Sequence, residues 1–184
     1  MRMRKRILFV ILLGIVLLNS CKVYLDTMQN SIATDYMTFK YQKKYNELDY
    51  FNKVNASADK EVFYNTHFTV RLPKNIVHWK QFGNKFYYEY DSKQVIYIYA
   101  AFKNEGKDSE TWELKNIAQG SELKYLEDYW IKERGYNENY FDKENKKRVT
   151  KLYTNGKYEI LLYNIKEKNF SSFFEFIKTF KIKV

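Results

Sequence analysis

Apolar and polar positions divide this chain into a hydrophobic leader, an irregular stretch and a long alternating body. Ile7 to Leu18 is an apolar run broken only by Gly14, and it follows the cationic cluster Arg2, Arg4, Lys5 and Arg6. Beyond it, Lys22 to about Thr34 carries no sustained period and reads as a tether. Met37, Tyr41, Tyr45, Leu48 and Phe51 then recur at spacings of 4, 4, 3 and 3, which predicts a helix capped by Thr34 or Asp35. The alternative is extended tether with incidental tyrosines. Asn55 to Lys60 breaks the pattern and marks the entrance to the compact domain, so the expected division is 1–20, 21–60 and 61–184.

From Val62 the period shortens to two. Phe68, Val70 and Leu72 alternate with Thr69 and Arg71 until Pro73, which cannot donate to a ladder and ends the strand; Trp79 sits in a short second element. Phe86–Tyr90 and Gln94–Phe102 predict a hairpin across Asp91-Ser92-Lys93. A three-residue turn places Phe86, Tyr88 and Tyr90 with Ile98, Ile96 and Gln94, and Tyr87 and Glu89 with Tyr97 and Val95. Ile96, Ile98 and Phe102 mark the core side, while Tyr97 and Tyr99 point under a helix or toward solvent.

Ser121 opens a helix in which Leu123, Leu126, Tyr129 and Trp130 fall at helical spacing, with Gly135 as its stop. Residues 148–154 and 157–163 flank Asn155-Gly156, the residue pair of a type I′ hairpin turn, a register that sets Val149 and Tyr153 against Leu162 and Tyr158. Asn169 or Ser171 caps a last helix with a Phe170, Phe173, Phe174, Ile177 stripe, before a strand over 180–184. Strands grouped in hairpins with helices packed over them predict an α+β fold, an antiparallel sheet covered by helices.

The leader has the n-region and h-region order of a secretory signal, and it is shorter than the roughly 20 apolar residues a spanning helix needs. Leu18-Asn19-Ser20-Cys21 closes it and resembles the lipobox of bacterial lipoproteins, with Asn19 standing where a small residue is more usual. The resemblance implies a diacylglycerol thioether on Cys21, cleavage between Ser20 and Cys21, and acylation of the new amino terminus. Two or more chains anchor stably where one does not, at about 0.8 kcal/mol per buried methylene. An ordinary cleaved signal with a stray cysteine, or an uncleaved short anchor, are the alternatives. Lys22-Val23-Tyr24-Leu25 lacks the acidic cluster that accompanies surface export in some lipoproteins, so the expected location is the bacterial cell membrane, periplasm-facing where there are two membranes.

Composition narrows the partners. The four basic residues of the leader leave with it, turning 32 Lys+Arg into 28 against 22 Asp+Glu and the net charge from +10 into +6. The remaining lysines are scattered rather than striped, which argues against nucleic acid. Cys21 is the only cysteine, so no intramolecular disulfide forms.

A second likeness covers residues 62–184. Phe68-x-Val70-x-Leu72-Pro73 with Trp79 soon after, and the closing Phe173-Phe174-x-Phe176-Ile177-x-Thr179-Phe180-Lys181, resemble the PsbP-like α/β/α family. That family implies partner binding or assembly and no common catalytic site, so no residue roles are carried over.

Chemistry is sparse. His67 and His78 lack metal-ligand spacing, no G-x-S-x-G or Gly-rich loop occurs, and Glu127, Asp128, Glu133 and Glu138 read as a solvated helix face. The expectation is no catalytic residue, no metal and no cofactor. With 18 tyrosines and 14 phenylalanines, the aromatic surplus is what remains, and Tyr87, Tyr97 and Tyr99 form the candidate ligand patch, with core packing beneath a helix as the competing reading. The functional expectation is a lipid-anchored, non-enzymatic envelope protein that binds a protein partner or serves assembly, with small-ligand or glycan binding through that patch as the alternative. Nothing in the sequence speaks to oligomeric state.

Overall fold

Alternation, not helical spacing, governs residues 31–55 as it does the strands that follow. A computed structural model describes residues 22–27, 31–55, 63–103, 105, 111–137 and 147–183, among them eleven strands in two antiparallel sheets and few helical residues. The fold is mixed α+β and predominantly β.

Sheet A has the order β1-β2-β3-β4-β11, built from β1 (Lys22–Thr27), β2 (Ser31–Tyr41), β3 (Asn46–Asn55), β4 (Phe63–Leu72) and β11 (Lys181–Ile182). The helix expected across Met37 to Phe51 is thus the β2–β3 hairpin, with Phe39 opposite Leu48 and Met37 opposite Tyr50. The misleading stripe arose because aromatic side chains are dense enough here to satisfy both periods. The period of two wins because Leu48 and Tyr50 lie beside Val70 and Phe68 of β4 and are fully buried with them. The compact body therefore begins before residue 61, and 22–27 and 31–34 are sheet strands rather than an irregular tether.

Sheet B has the order β5-β6-β7-β10-β9-β8: β5 (His78–Phe82), β6 (Lys85–Tyr90), β7 (Gln94–Tyr99), β8 (Glu113–Asn116), β9 (Arg148–Thr154) and β10 (Glu159–Lys166). The β6–β7 register is the expected one, Tyr88 opposite Ile96 and Tyr87 opposite Tyr97. Where the hairpin pattern predicted one sheet, the inner faces of two meet. Tyr50 and Phe68 of sheet A pack against Phe86 of sheet B at ring separations of 4.6 and 5.4 Å.

Asn155-Gly156 makes a hairpin but not a type I′ turn. Gly156 alone of the pair has positive φ, +90°, and the loop takes four residues, setting Thr154 opposite Glu159 and Tyr153 opposite Ile160. Side chains explain the longer loop. Asn155 Oδ1 accepts from the Lys157 and Tyr158 amides at 3.1 and 2.9 Å, and Thr154 Oγ1 donates to the Tyr158 carbonyl at 2.7 Å. The two-residue shift preserves which face each side chain takes. A bulge between Leu162 and Ile165 then returns Ile165 to the core side.

Two helices cover what the sheets leave open. Helix α1 (Leu123–Glu127) continues as a wider π turn over Asp128–Glu133 and lies on the outer face of sheet B. The widening brings Tyr129 and Trp130 to the sheet together, and Gly135, at φ +64°, ends it. Helix α2 (Glu167–Ile177) starts ahead of Asn169 and Ser171, and buries Phe173 and Ile177 along one side of the sandwich, with Phe170 and Phe174 partly covered. The layers run sheet A, sheet B, α1.

Candidate functional site

The tyrosines singled out from the pattern lie beneath α1. Tyr87 is fully buried, stacked on Tyr129 at 4.9 Å, and its hydroxyl donates to the Tyr125 carbonyl at 3.2 Å. Tyr97 packs against Tyr125 at 5.7 Å. Burial pushes both phenols well above the usual tyrosine range. Tyr99 is half-buried, its hydroxyl 3.3 Å from Glu105 Oε2. An accessible patch on this face is therefore corrected to a second core, because a helix with four buried apolar side chains needs a sheet face to cover. Cys21 and Glu138 lie outside the described residues.

The histidines stand apart. His67 Nε2 is 3.0 Å from Asp49 Oδ1, and His78 Nδ1 is 3.0 Å from the Tyr129 hydroxyl. No cluster of three or more metal-ligating side chains occurs among the described residues. Glu127, Asp128 and Glu133 pair with lysines on the surface of α1 and its π turn.

Among the described residues Glu89 carries the most buried carboxylate, on the outer face of sheet B. Its Oε2 accepts from the Tyr129 hydroxyl and Arg134 Nε, each at 2.8 Å, and its Oε1 accepts from the Tyr136 hydroxyl at 3.1 Å. Arg134 Nη2 donates in turn to the Tyr136 hydroxyl at 2.8 Å. Buried charge is tolerable only when it is paired and hydrogen-bonded in this way. With three donors converging on one carboxylate, the cell fastens the end of the π turn to β6. Sequence reading placed Glu89 on this face without giving it a role.

The opposite condition holds on the inner face of the same strand. Tyr88, 1% exposed, has a buried hydroxyl with no hydrogen-bonding partner. It sits in a cleft of about 330 Å³ lined by Met37, Phe39 and Tyr41 of β2, Asn46, Lys74, Asn75 and Ile76, and Trp79 of β5. An unmet buried hydroxyl costs about 1–3 kcal/mol, so a ligand that meets it recovers part of that. Burial holds this phenol neutral far above the usual tyrosine range, leaving both an O–H donor and acceptor lone pairs.

Why the sandwich gapes here follows from topology. β5 is the edge strand of sheet B, and Trp79 pairs with Tyr88, so its indole faces inward yet remains 49% exposed. Tyr41, 78% exposed, stands across from it at the end of β2, and Val77 beside the cleft is also exposed. Three of the six large apolar side chains most exposed among the described residues thus gather at one opening. Hydrogen bonds tie the lining together: Asn46 Nδ2 donates to the Pro73 carbonyl at 3.1 Å, and Lys74 Nζ donates to the Gln42 carbonyl at 3.0 Å while standing 5.7 Å from the Tyr41 ring. Sequence reading marked Trp79 and Pro73 but not the site. The alternation of Met37, Phe39 and Tyr41, the signal that would have revealed its far wall, was absorbed into a helix.

No family model matches the chain, and no curated protein and no solved structure matches it.

Proposed function

We propose that this chain is a lipid-anchored protein of the bacterial cell envelope whose globular part is a non-enzymatic module for binding a protein partner through the cleft between β2 and β5. The observation that carries the binding reading is the pairing of an unpartnered, buried Tyr88 hydroxyl with an exposed aromatic rim at Trp79 and Tyr41. A non-enzymatic role is supported by the state of the polar groups: Glu89 is engaged by three donors, and the two histidines stand beside different partners. The anchor rests on Leu18-Asn19-Ser20-Cys21, and the likeness of the Phe68–Pro73 and Phe173–Lys181 stretches to PsbP-like domains, which bind partners or serve assembly, supports the same reading. The volume of the cleft, about 330 Å³, also suits a small ligand or a single sugar ring, the second reading.

A photo-crosslinking residue at position 41 of the membrane-bound protein tests the binding site. One discrete protein adduct, abolished by Trp79→Ala and retained when the probe-bearing chain carries Leu114→Ala on the far edge of sheet B, is the expected result. No adduct at position 41 overturns protein binding at this cleft. Mass spectrometry of the same material addresses the anchor, since a free Cys21 thiol or a chain still beginning at Met1 removes it.

A further inference from the structure

The cleft's chemistry narrows its occupant, and this step rests on the binding reading above. We propose that the cleft receives a tyrosine or tryptophan side chain presented by an acidic segment of the partner protein.

Shape, hydrogen bonding and charge each contribute. Met37, Phe39, Tyr41, Ile76 and Trp79 form apolar and aromatic walls around about 330 Å³, the low end of ligand sites and room for one ring rather than an extended ligand. Phe39 lies edge-on to Tyr41 at 5.2 Å and stacked on Tyr88 at 6.4 Å, so an entering ring meets both faces and edges of others. The unpartnered Tyr88 hydroxyl selects a ring with its own polar group, a phenol O–H or an indole N–H, over phenylalanine.

The charge is one-sided. Among the described residues no acidic side chain lines the cleft. Lys43 and Lys44 are exposed in the turn joining Tyr41 to Asn46, and Lys74 binds a carbonyl and an amide oxygen; among the described residues none of the three faces a carboxylate. The lysines farther out are already engaged, Lys40 with Glu47 at 3.9 Å and Lys80 with Glu133 at 3.0 Å. Lys74 in the lining and Lys43 and Lys44 in the turn that leads from Tyr41 to Asn46 attract an acidic chain and repel a basic one. A bilayer fits less well, because its acyl chains offer nothing to the unpartnered hydroxyl of a lining residue.

The test uses the full-length chain in detergent micelles, with the Trp79 indole N–H followed by NMR. Three capped pentapeptides serve as probes: tyrosine between pairs of glutamates, phenylalanine between pairs of glutamates, and tyrosine between pairs of lysines. The acidic tyrosine peptide is expected to shift the Trp79 and Lys74 signals, with the phenylalanine peptide about three- to tenfold weaker, the range one neutral hydrogen bond spans. The lysine peptide is expected at least about tenfold weaker, a gap that closes with added salt. Tyr88→Phe should equalise the two acidic peptides, whereas joint Lys43→Glu and Lys44→Glu substitution, on exposed positions that do not threaten folding, should erase the charge preference.

Equal binding of the acidic and basic peptides, or of tyrosine and phenylalanine peptides, overturns the proposal. So does a Trp79 shift produced by phosphatidylglycerol vesicles and by none of the peptides, which would make the site a membrane contact. A crosslinked partner at position 41 together with silent acidic peptides sinks this inference and leaves the binding reading standing; silence in both sinks the two together.

Discussion

One strand, β6, carries two polar environments on opposite faces, and they differ in a way that separates scaffold from site. Outward, Glu89 meets Tyr129, Arg134 and Tyr136, so a costly buried charge is converted into a fastening for the π turn. Inward, one residue earlier, the Tyr88 hydroxyl is as deeply buried and meets nothing. Folding alone accounts for the first. The second is a deficit that folding would remove by phenylalanine, and its persistence beside an open aromatic rim is the ground for the binding site proposed above.

The largest expected effect is at the closed side. Glu89→Ala takes the carboxylate from the Arg134 guanidinium, itself 30% exposed, and from two tyrosine hydroxyls; a loss of about 3 kcal/mol or more is expected in urea unfolding. Tyr129→Phe, which deletes one bond to that carboxylate together with the contact to His78 Nδ1, should cost about 1.5–3 kcal/mol. A destabilisation by Glu89→Ala below about 1 kcal/mol would mean the cell is not a fastening at all.

Tyr88→Phe should behave oppositely, leaving stability unchanged or raising it by up to about 1 kcal/mol, because the deleted hydroxyl has no bond to lose. Two Tyr→Phe substitutions in one domain, with opposite signs, form the sharpest version of the comparison. A cost at position 88 as large as that at position 129 would erase the distinction, and with it the reason to treat the cleft as a site.

The smallest effect is on the solvent-facing side of sheet A, where ion pairs are exposed. Burial pulls the Asp49 carboxyl upward, but hydrogen bonds from Lys183 and His67 outweigh it and hold it below its usual value of 3.8. The unfolded chain therefore takes up this proton first on acidification. The contribution is fully present above about pH 4 and is lost as pH falls through the depressed folded value. The fall in melting temperature between pH 5 and pH 2 should be slightly shallower in Asp49→Asn; an identical or steeper fall would show that the pair contributes nothing, as many surface pairs do.

Within sheet B the β6–β7 hairpin was legible residue by residue because it obeys a strict period of two: the partners of Tyr88 and Tyr87 follow once the turn is three residues long. Sheet A was legible only from β4 onward, since Met37, Tyr41, Tyr45, Leu48 and Phe51 coincide with a helical stripe and only the neighbouring strand decides between the two readings. The Asn155-Gly156 register missed by two residues because Asn155 spends its side chain on the Lys157 and Tyr158 amides instead of adopting positive φ. The cleft was illegible for a different reason. Whether a buried hydroxyl finds a partner is a property of packing across two sheets, and no local pattern encodes it.

The position of β10 has a consequence in time. It is the penultimate strand in the chain, yet it lies between β7 and β9, with Leu161 opposite both Tyr97 and Leu152. A nascent polypeptide emerging amino terminus first can therefore form the β2–β3 and β6–β7 hairpins, but the middle of sheet B stays vacant until residue 166 has been synthesised. Such non-local closure is slow, and it keeps the unfinished chain threadable for most of its synthesis.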